Sequence, residues 1–160
     1  MSVETRNHRV DLDGFYQSDQ TKPSAYLFDM DGTLAHINAE TQRSPYDEQL
    51  ASDDKADPVI SELLRLLAAA GHKIVIVSAR RERYSFITSD WLKRNNIPYD
   101  HLVLRESHDT RPDHVTKREL FDRHIRQRFC VQAVFDDRNA VVDLWRSLGL
   151  KCLQVQSGNY

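Results

Sequence analysis

Phe28-Asp29-Met30-Asp31-Gly32-Thr33-Leu34 follows directly on the apolar run Ala25-Tyr26-Leu27, and the reading of the whole chain starts from it. It sets two carboxylates two residues apart where a strand must end. Alternate residues of a strand share a face, so Asp29 and Asp31 can converge on one point while Met30 turns inward. Gly32 allows a sharp turn that brings backbone N–H groups towards an anion. One carboxylate can then attack phosphorus, while the other gives a proton to the leaving alkoxide and later takes one from water. This is a pattern suited to phosphoryl transfer. Taken alone, the stretch could equally be two solvated aspartates in a D-G turn.

Two further runs weigh against the bland reading. Lys73-Ile74-Val75-Ile76-Val77-Ser78 is β-branched and ends in a hydroxyl, and Val131-Gln132-Ala133-Val134-Phe135-Asp136-Asp137 ends in a carboxylate pair. Lys117 lies between them, at the start of an expected helix. Singly, Ser78 and the Asp pair could be helix caps and Lys117 a solvated lysine. In this order they resemble the haloacid dehalogenase-like phosphatases across roughly the last 135 residues. Arg43-Ser44-Pro45-Tyr46-Asp47, Ser78-Ala79-Arg80, Asp136-Asp137-Arg138, Val141-Val142-Asp143-Leu144-Trp145 and Gln154-Val155-Gln156-Ser157-Gly158 are similar to the phosphatase domain of the T-even phage polynucleotide kinase-phosphatase family. The loop between Leu34 and Arg43 is a few residues longer than that family's.

The resemblance implies removal of 3′-phosphates, and of 2′,3′-cyclic phosphates, from RNA or DNA ends, as in nucleic-acid repair. It implies Asp29 as the nucleophile of an aspartyl-phosphate intermediate and Asp31 as acid and then base. Ser78 would bond a phosphoryl oxygen, Lys117 would orient Asp29, and Arg43 and Arg80 would clamp the phosphate. Up to four carboxylates beside a phosphate call for a hard dication, so Mg²⁺ is expected. By resemblance its ligands are Asp29, the backbone carbonyl of Asp31, and one of Asp136 and Asp137, with the other outer-sphere.

The remaining pattern alternates strands and helices. Asp57 or Asp53 can cap a helix through Ile60, Leu63, Leu64, Leu66 and Leu67 that stops at Gly71. Further helices are expected over about Tyr84–Asn95, Thr116–Arg128 and Ala140–Leu148, with strands at Ile74–Val77, His101–Leu104, up to Asp136, and at Cys152–Val155. The expected fold is α/β, a doubly wound and mainly parallel sheet with helices on both faces. Ligands of such sheets bind beyond the carboxyl ends of the strands, where Asp29, Ser78 and Asp136 should lie. The intervals Leu34–Ile74 and Ser78–Lys117 are largely consumed by a core helix and its connections, so the cap is minimal and the cleft open to a polymer end. Residues 1–23 read as a polar N-terminal arm and 24–160 as the domain.

Composition bounds the class. The chain has 160 residues, 40% of them hydrophobic and 29% charged, enough for one domain with a real core. The polar start and the lack of a long apolar run point to a cytosolic protein without a membrane segment. Cys130 and Cys152 begin apolar runs and read as buried free thiols; Trp91 and Trp145 fall on apolar helix faces and read as core. Residues 71–130 carry 13 Lys/Arg against 8 Asp/Glu. Arg80, Arg81, Arg83, Arg105, Arg111, Arg118, Arg123, Arg126 and Arg128 could therefore attract phosphates, or could be ordinary helix faces with i,i+4 pairs. No glycine pair has P-loop spacing, so the chain reads as a phosphatase alone or as one excised from a larger protein, and a partner kinase or ligase activity could lie on another chain. The rival readings are a small-molecule phosphatase such as a nucleotidase, and a receiver-like phospho-switch. Asp31 argues against the switch, because receivers have no acid two residues after their nucleophile.

Overall fold

A computed structural model describes residues 14–159. Five parallel strands form one sheet in the order β5-β4-β1-β6-β7: β1 (Ser24–Phe28), β4 (Lys73–Arg81), β5 (His101–Arg105), β6 (Cys130–Asp136) and β7 (Cys152–Gln154). Four helices connect or flank them: α1 (Pro58–Ala69), α2 (Ser85–Arg94), α3 (Asp113–His124) and α4 (Asn139–Ser147). The connection from β1 to α1 holds a two-stranded antiparallel ribbon, β2 (Ala35–His36) and β3 (Lys55–Ala56), and a 3-10 helix over Glu48–Asp53.

Strand periodicity explains the two layers of helices. Leu27, Val75 and Val77 point to one face and pack with Leu120 and Phe121 of α3 and Val141, Val142 and Trp145 of α4. Their neighbours Phe28, Ile74 and Ile76 point to the other face and pack with Leu64 of α1 and Trp91 and Leu92 of α2. Every central strand is therefore apolar on both sides, as a covered parallel sheet requires. Each such side chain contributes roughly 1.5–3 kcal/mol by leaving water. The chain steps from β1 outward to β4 and β5, then returns to β6 on β1's other side. That reversal opens a crevice at the carboxyl ends of β1 and β6.

The fold is the expected one, with local departures. Asp57, rather than Asp53, caps α1: its carboxylate accepts from the Val59 and Ile60 N–H groups at 3.0 and 2.9 Å, with Pro58 at the first helical position. Strand β4 does not stop at Ser78 but runs on to Arg81, with an irregularity against β5 between those residues. Arg80 is held there by Asp31 and Asp54, and Arg81 pairs with Arg105 across the sheet. Helix α3 starts at Asp113 instead of Thr116, since Pro112 ends the preceding loop and Asp113 suits a helix N-terminus. It stops at His124, where the chain turns to bury Ile125 and Phe129.

Residues 1–13 of the expected arm lie outside the described residues. Within 14–23, Tyr16 is buried in the same core as Leu27 and Phe121. Its hydroxyl donates to the Phe129 carbonyl at 2.9 Å and accepts from the Val131 N–H at 2.8 Å. The packing therefore reaches past the expected boundary at residue 24. Both cysteines are buried free thiols, and burial pushes Cys152 up to about 12. No helix among the described residues is long and apolar enough to cross a membrane.

Candidate active site

Where β1 ends, Met30 turns inward and its carbonyl accepts the N–H groups of Thr33, Leu34 and Ala35, closing the Asp-Gly turn. Gly32 sits at φ 85°, which suits glycine. The turn sends the two aspartates into adjacent but different clusters.

Asp29 enters an acidic cluster. A carboxylate oxygen from each of Asp29, Asp136 and Asp137 lies within 4.8 Å of the others, and all three residues are buried. Lys117, from the buried face of α3, donates to Asp29 Oδ1 at 2.7 Å and to Asp136 Oδ2 at 2.9 Å. Burial favours its neutral amine, but the charges of Asp136 and Asp29 outweigh that and hold the ammonium above its ordinary range. Asp136 also accepts from Trp145 Nε1 at 3.1 Å and from the Asp137 N–H at 2.9 Å. Asp137 is bonded by Gln156, whose Nε2 also donates to the Gly32 carbonyl at 2.8 Å. Three carboxylates against one ammonium leave an excess of negative charge. Burial and then that crowding raise Asp29 well above the usual carboxylate range, partly opposed by Lys117; burial and Asp136 raise Asp137. Hard oxygen donors with surplus charge at a strand end fit a small dication such as Mg²⁺.

Asp31 enters an arginine cluster. Its carboxylate, half exposed, receives Arg80 Nε at 3.0 Å and Nη2 at 2.7 Å, with Arg43 Nη2 at 3.7 Å. Beneath them Asp54 accepts Arg43 Nε and Nη2 at 2.7 and 2.6 Å and Arg80 Nη2 at 2.9 Å. Both guanidiniums are only 2% exposed. Partial desolvation on its inner side works to raise Asp31, but the charge and bonds of Arg80, then Arg43, hold it below the usual carboxylate range. The expected crowd of four acids is thus three in one cluster and one in the other. Ser78 is buried, its Oγ accepting the Arg80 N–H at 3.2 Å.

All eight residues singled out from the sequence, Asp29, Asp31, Arg43, Ser78, Arg80, Lys117, Asp136 and Asp137, gather at one end of the sheet. Asp54 was not foreseen: it stands in the acidic stretch Asp53-Asp54 with no motif to mark it. Nor were the indole N–H groups of Trp145, on Asp136, and of Trp91, which donates to the Asp54 carbonyl at 2.7 Å. Both tryptophans are core residues as expected, and each also steadies a site residue. Most outlying arginines are engaged structurally. Arg118 and Arg126 pair with Asp122, Arg123 with Glu119 and Glu106, and Arg111 with Asp109 and Glu119. Arg105 is buried and braces the Ala79, Asp109 and Arg111 carbonyls and the Asp113 carboxylate, which also takes Arg138.

The profile of the family described as the polynucleotide kinase PNKP phosphatase domain matches residues 23–160. A protein of Autographa californica nuclear polyhedrosis virus, named as a bifunctional polynucleotide kinase/RNA ligase, is 36% identical over 129 residues, covering 79% of this chain and 18% of that protein. A chain in the structure of the Pnkp1/Rnl/Hen1 RNA repair complex superposes with a TM-score of 0.86 at 34% identity, over 91% of this chain and 46% of that one. The class C acid phosphatase of Bacillus anthracis shares the fold alone, with a TM-score of 0.61 at 18% identity over 87% of this chain and 68% of that one. This chain spans less than half the length of the first two relatives.

Proposed function

The chain belongs to the haloacid dehalogenase-like phosphatase-domain family of polynucleotide kinase PNKP, a family of phosphomonoesterases, and from that premise we propose that it is an Mg²⁺-dependent polynucleotide 3′-phosphatase. The observation that carries the reading is the pairing of two clusters centred two residues apart, an acidic one around Asp29 and an arginine one around Asp31.

The reaction is a displacement at phosphorus. Asp29, oriented by Lys117, attacks in line to form an aspartyl-phosphate and expels the 3′-alkoxide. Lys117 and the Ser78 hydroxyl stabilise the oxygens on which charge develops. Arg80 meets the phosphate from the side of Asp31, and Arg43 stands behind it. In the free protein Asp31 is an anion held by Arg80, the wrong form for an acid. A phosphate dianion sharing Arg80 places like charge beside Asp31, favours its protonation, and prepares it to protonate the leaving group. Once the alkoxide has left, Asp31 takes a proton from the water that opens the aspartyl-phosphate. Asp29, Asp136 and Asp137 would hold Mg²⁺, which would neutralise charge around the phosphoryl group when bound. The names of the viral protein and of the RNA repair complex favour RNA ends, with kinase and ligase activities supplied outside these residues. A cytosolic setting accords with two free buried thiols.

The test compares phosphate release from RNA and DNA oligonucleotides carrying a 3′-phosphate, a 5′-phosphate or a 2′,3′-cyclic phosphate, and from 3′- and 5′-mononucleotides. Preference for 3′-phosphorylated ends supports the proposal. Faster release from free nucleotides would make the protein a nucleotidase, and no release from any of them would leave a phospho-switch.

A further inference from the structure

Tyr46, 82% exposed, is the barest large apolar side chain among the described residues. Scattered exposed apolar residues are ordinary; the way this one is held is not. Ser44-Pro45-Tyr46-Asp47 is a tight turn, closed by the Asp47 N–H to the Ser44 carbonyl at 3.0 Å and by the Tyr46 N–H to Ser44 Oγ at 3.3 Å. Pro45 fixes the backbone at its second position. The turn is fastened at both ends to the rim of the reacting site. Just before it, Arg43 is locked to Asp54 and lies 3.7 Å from Asp31. Just after it, the Glu48 carboxylate accepts the N–H of Arg81 at 2.9 Å, and Arg81 follows directly on the Arg80 that grips Asp31. Three residues span at most about 10 Å, which keeps the backbone of Tyr46 within that reach of the backbone of Arg43, whose guanidinium faces Asp31.

An aromatic ring displayed to water on a rigid turn beside a phosphate-handling site offers a flat apolar face at little entropic cost. The part of a nucleic-acid end with a matching face is its base. We infer that Tyr46 is a stacking platform for the nucleobase of the phosphorylated terminal residue, and so a positioning and specificity residue rather than a catalytic one. This rests on the polynucleotide reading above. Stacking tolerates all four bases, because each has a π-face, and such a site would accept ends of any sequence while discriminating against esters without a base.

The experiment uses the full chain with Mg²⁺ and two 3′-phosphorylated oligonucleotides, one ending in an ordinary nucleotide and one in an abasic residue. The readout is the ratio of their kcat/KM values. In the unaltered protein the based end should be favoured about 10- to 100-fold, mainly through KM, the size expected for one stacked base. Tyr46→Ala should bring the ratio close to one, and Tyr46→Trp and Tyr46→Phe should keep it. General damage to the site would lower both rates and leave the ratio standing. A ratio kept by Tyr46→Ala, or near one in the unaltered protein, overturns the stacking inference while leaving the 3′-phosphatase reading in place. An unaltered protein that ignores both oligonucleotides yet hydrolyses nucleotides overturns both.

Discussion

Replacing Asp54 by asparagine tests the buried support of the arginine pair. Asp54 accepts three charge-assisted bonds, at 2.7 and 2.6 Å from Arg43 and at 2.9 Å from Arg80, and all three side chains are 1–2% exposed. The neutral amide would leave two buried guanidiniums sharing the charge of Asp31 alone. Removing one partner of a buried ion pair costs about 3–5 kcal/mol. Asparagine keeps one accepting oxygen and Asp31 still pairs with Arg80, so the lower end, about 3 kcal/mol, applies. For a chain of this size that is a fall in Tm of about 6–12 °C. Because the cluster is shielded from solvent, the fall should survive about 1 M salt, which would erase a surface pair. Calorimetry on the unaltered and Asp54→Asn proteins gives the shift. Kinetics well below both transitions should show kcat/KM for a 3′-phosphorylated oligonucleotide lowered tenfold or more, on the order of what misplaced binding groups cost. A Tm within about 2 °C of the original with full activity would refute the idea that Asp54 organises the two arginines.

Asp29→Asn should abolish steady-state phosphate release, and Asp31→Asn should slow it on the order of 10²-fold for an alkoxide leaving group, measured on 3′-phosphorylated oligonucleotides. Asp29 and Asp137 have raised affinities for protons in the folded state, so metal-free protein draws stability from them that is full below about pH 4 and lost as pH climbs through their raised values. A dication takes the place of those protons; thermal melts should show a larger Mg²⁺-induced rise in Tm at pH 7.5 than at pH 5, and an equal or smaller rise would count against the carboxylate cluster as the metal site. Trp145→Phe removes the indole bond to Asp136 and should raise the Mg²⁺ concentration for half-maximal activity about 10- to 100-fold. An unchanged Mg²⁺ titration would reduce Trp145 to packing alone.

The elements that were legible are those whose pattern is local. The strands ending near Asp29 and Asp136 are apolar runs stopped by acids, and α1 announces itself through Asp57-Pro58 and Gly71. What could not be read depends on contacts between distant segments. Strand β4 continues past Ser78 because Asp31 and Asp54 hold Arg80, and nothing in Ala79-Arg80-Arg81 signals that. The β2 and β3 ribbon has two residues per strand, too few for a period to register. In the site, the motif aspartates stand out by spacing, whereas Asp54 belongs to a stretch rich in acids and becomes distinct only when Arg43 and Arg80 fold over it. The split between the clusters of Asp29 and Asp31 follows from the Gly32 turn and the arginines, which no period-2 reading of a strand could separate.

Trapping the phosphoryl-enzyme tests the central claim most directly. Protein mixed with an oligonucleotide carrying a labelled 3′-phosphate, with Mg²⁺, and quenched in acid within a single turnover should carry the label on the peptide containing Asp29. The label should be released by hydroxylamine, as an acyl phosphate is, and Asp31→Asn should prolong its life by removing the base of the second step. Free phosphate formed without any labelled protein, or label and turnover that persist in Asp29→Asn, would contradict the account.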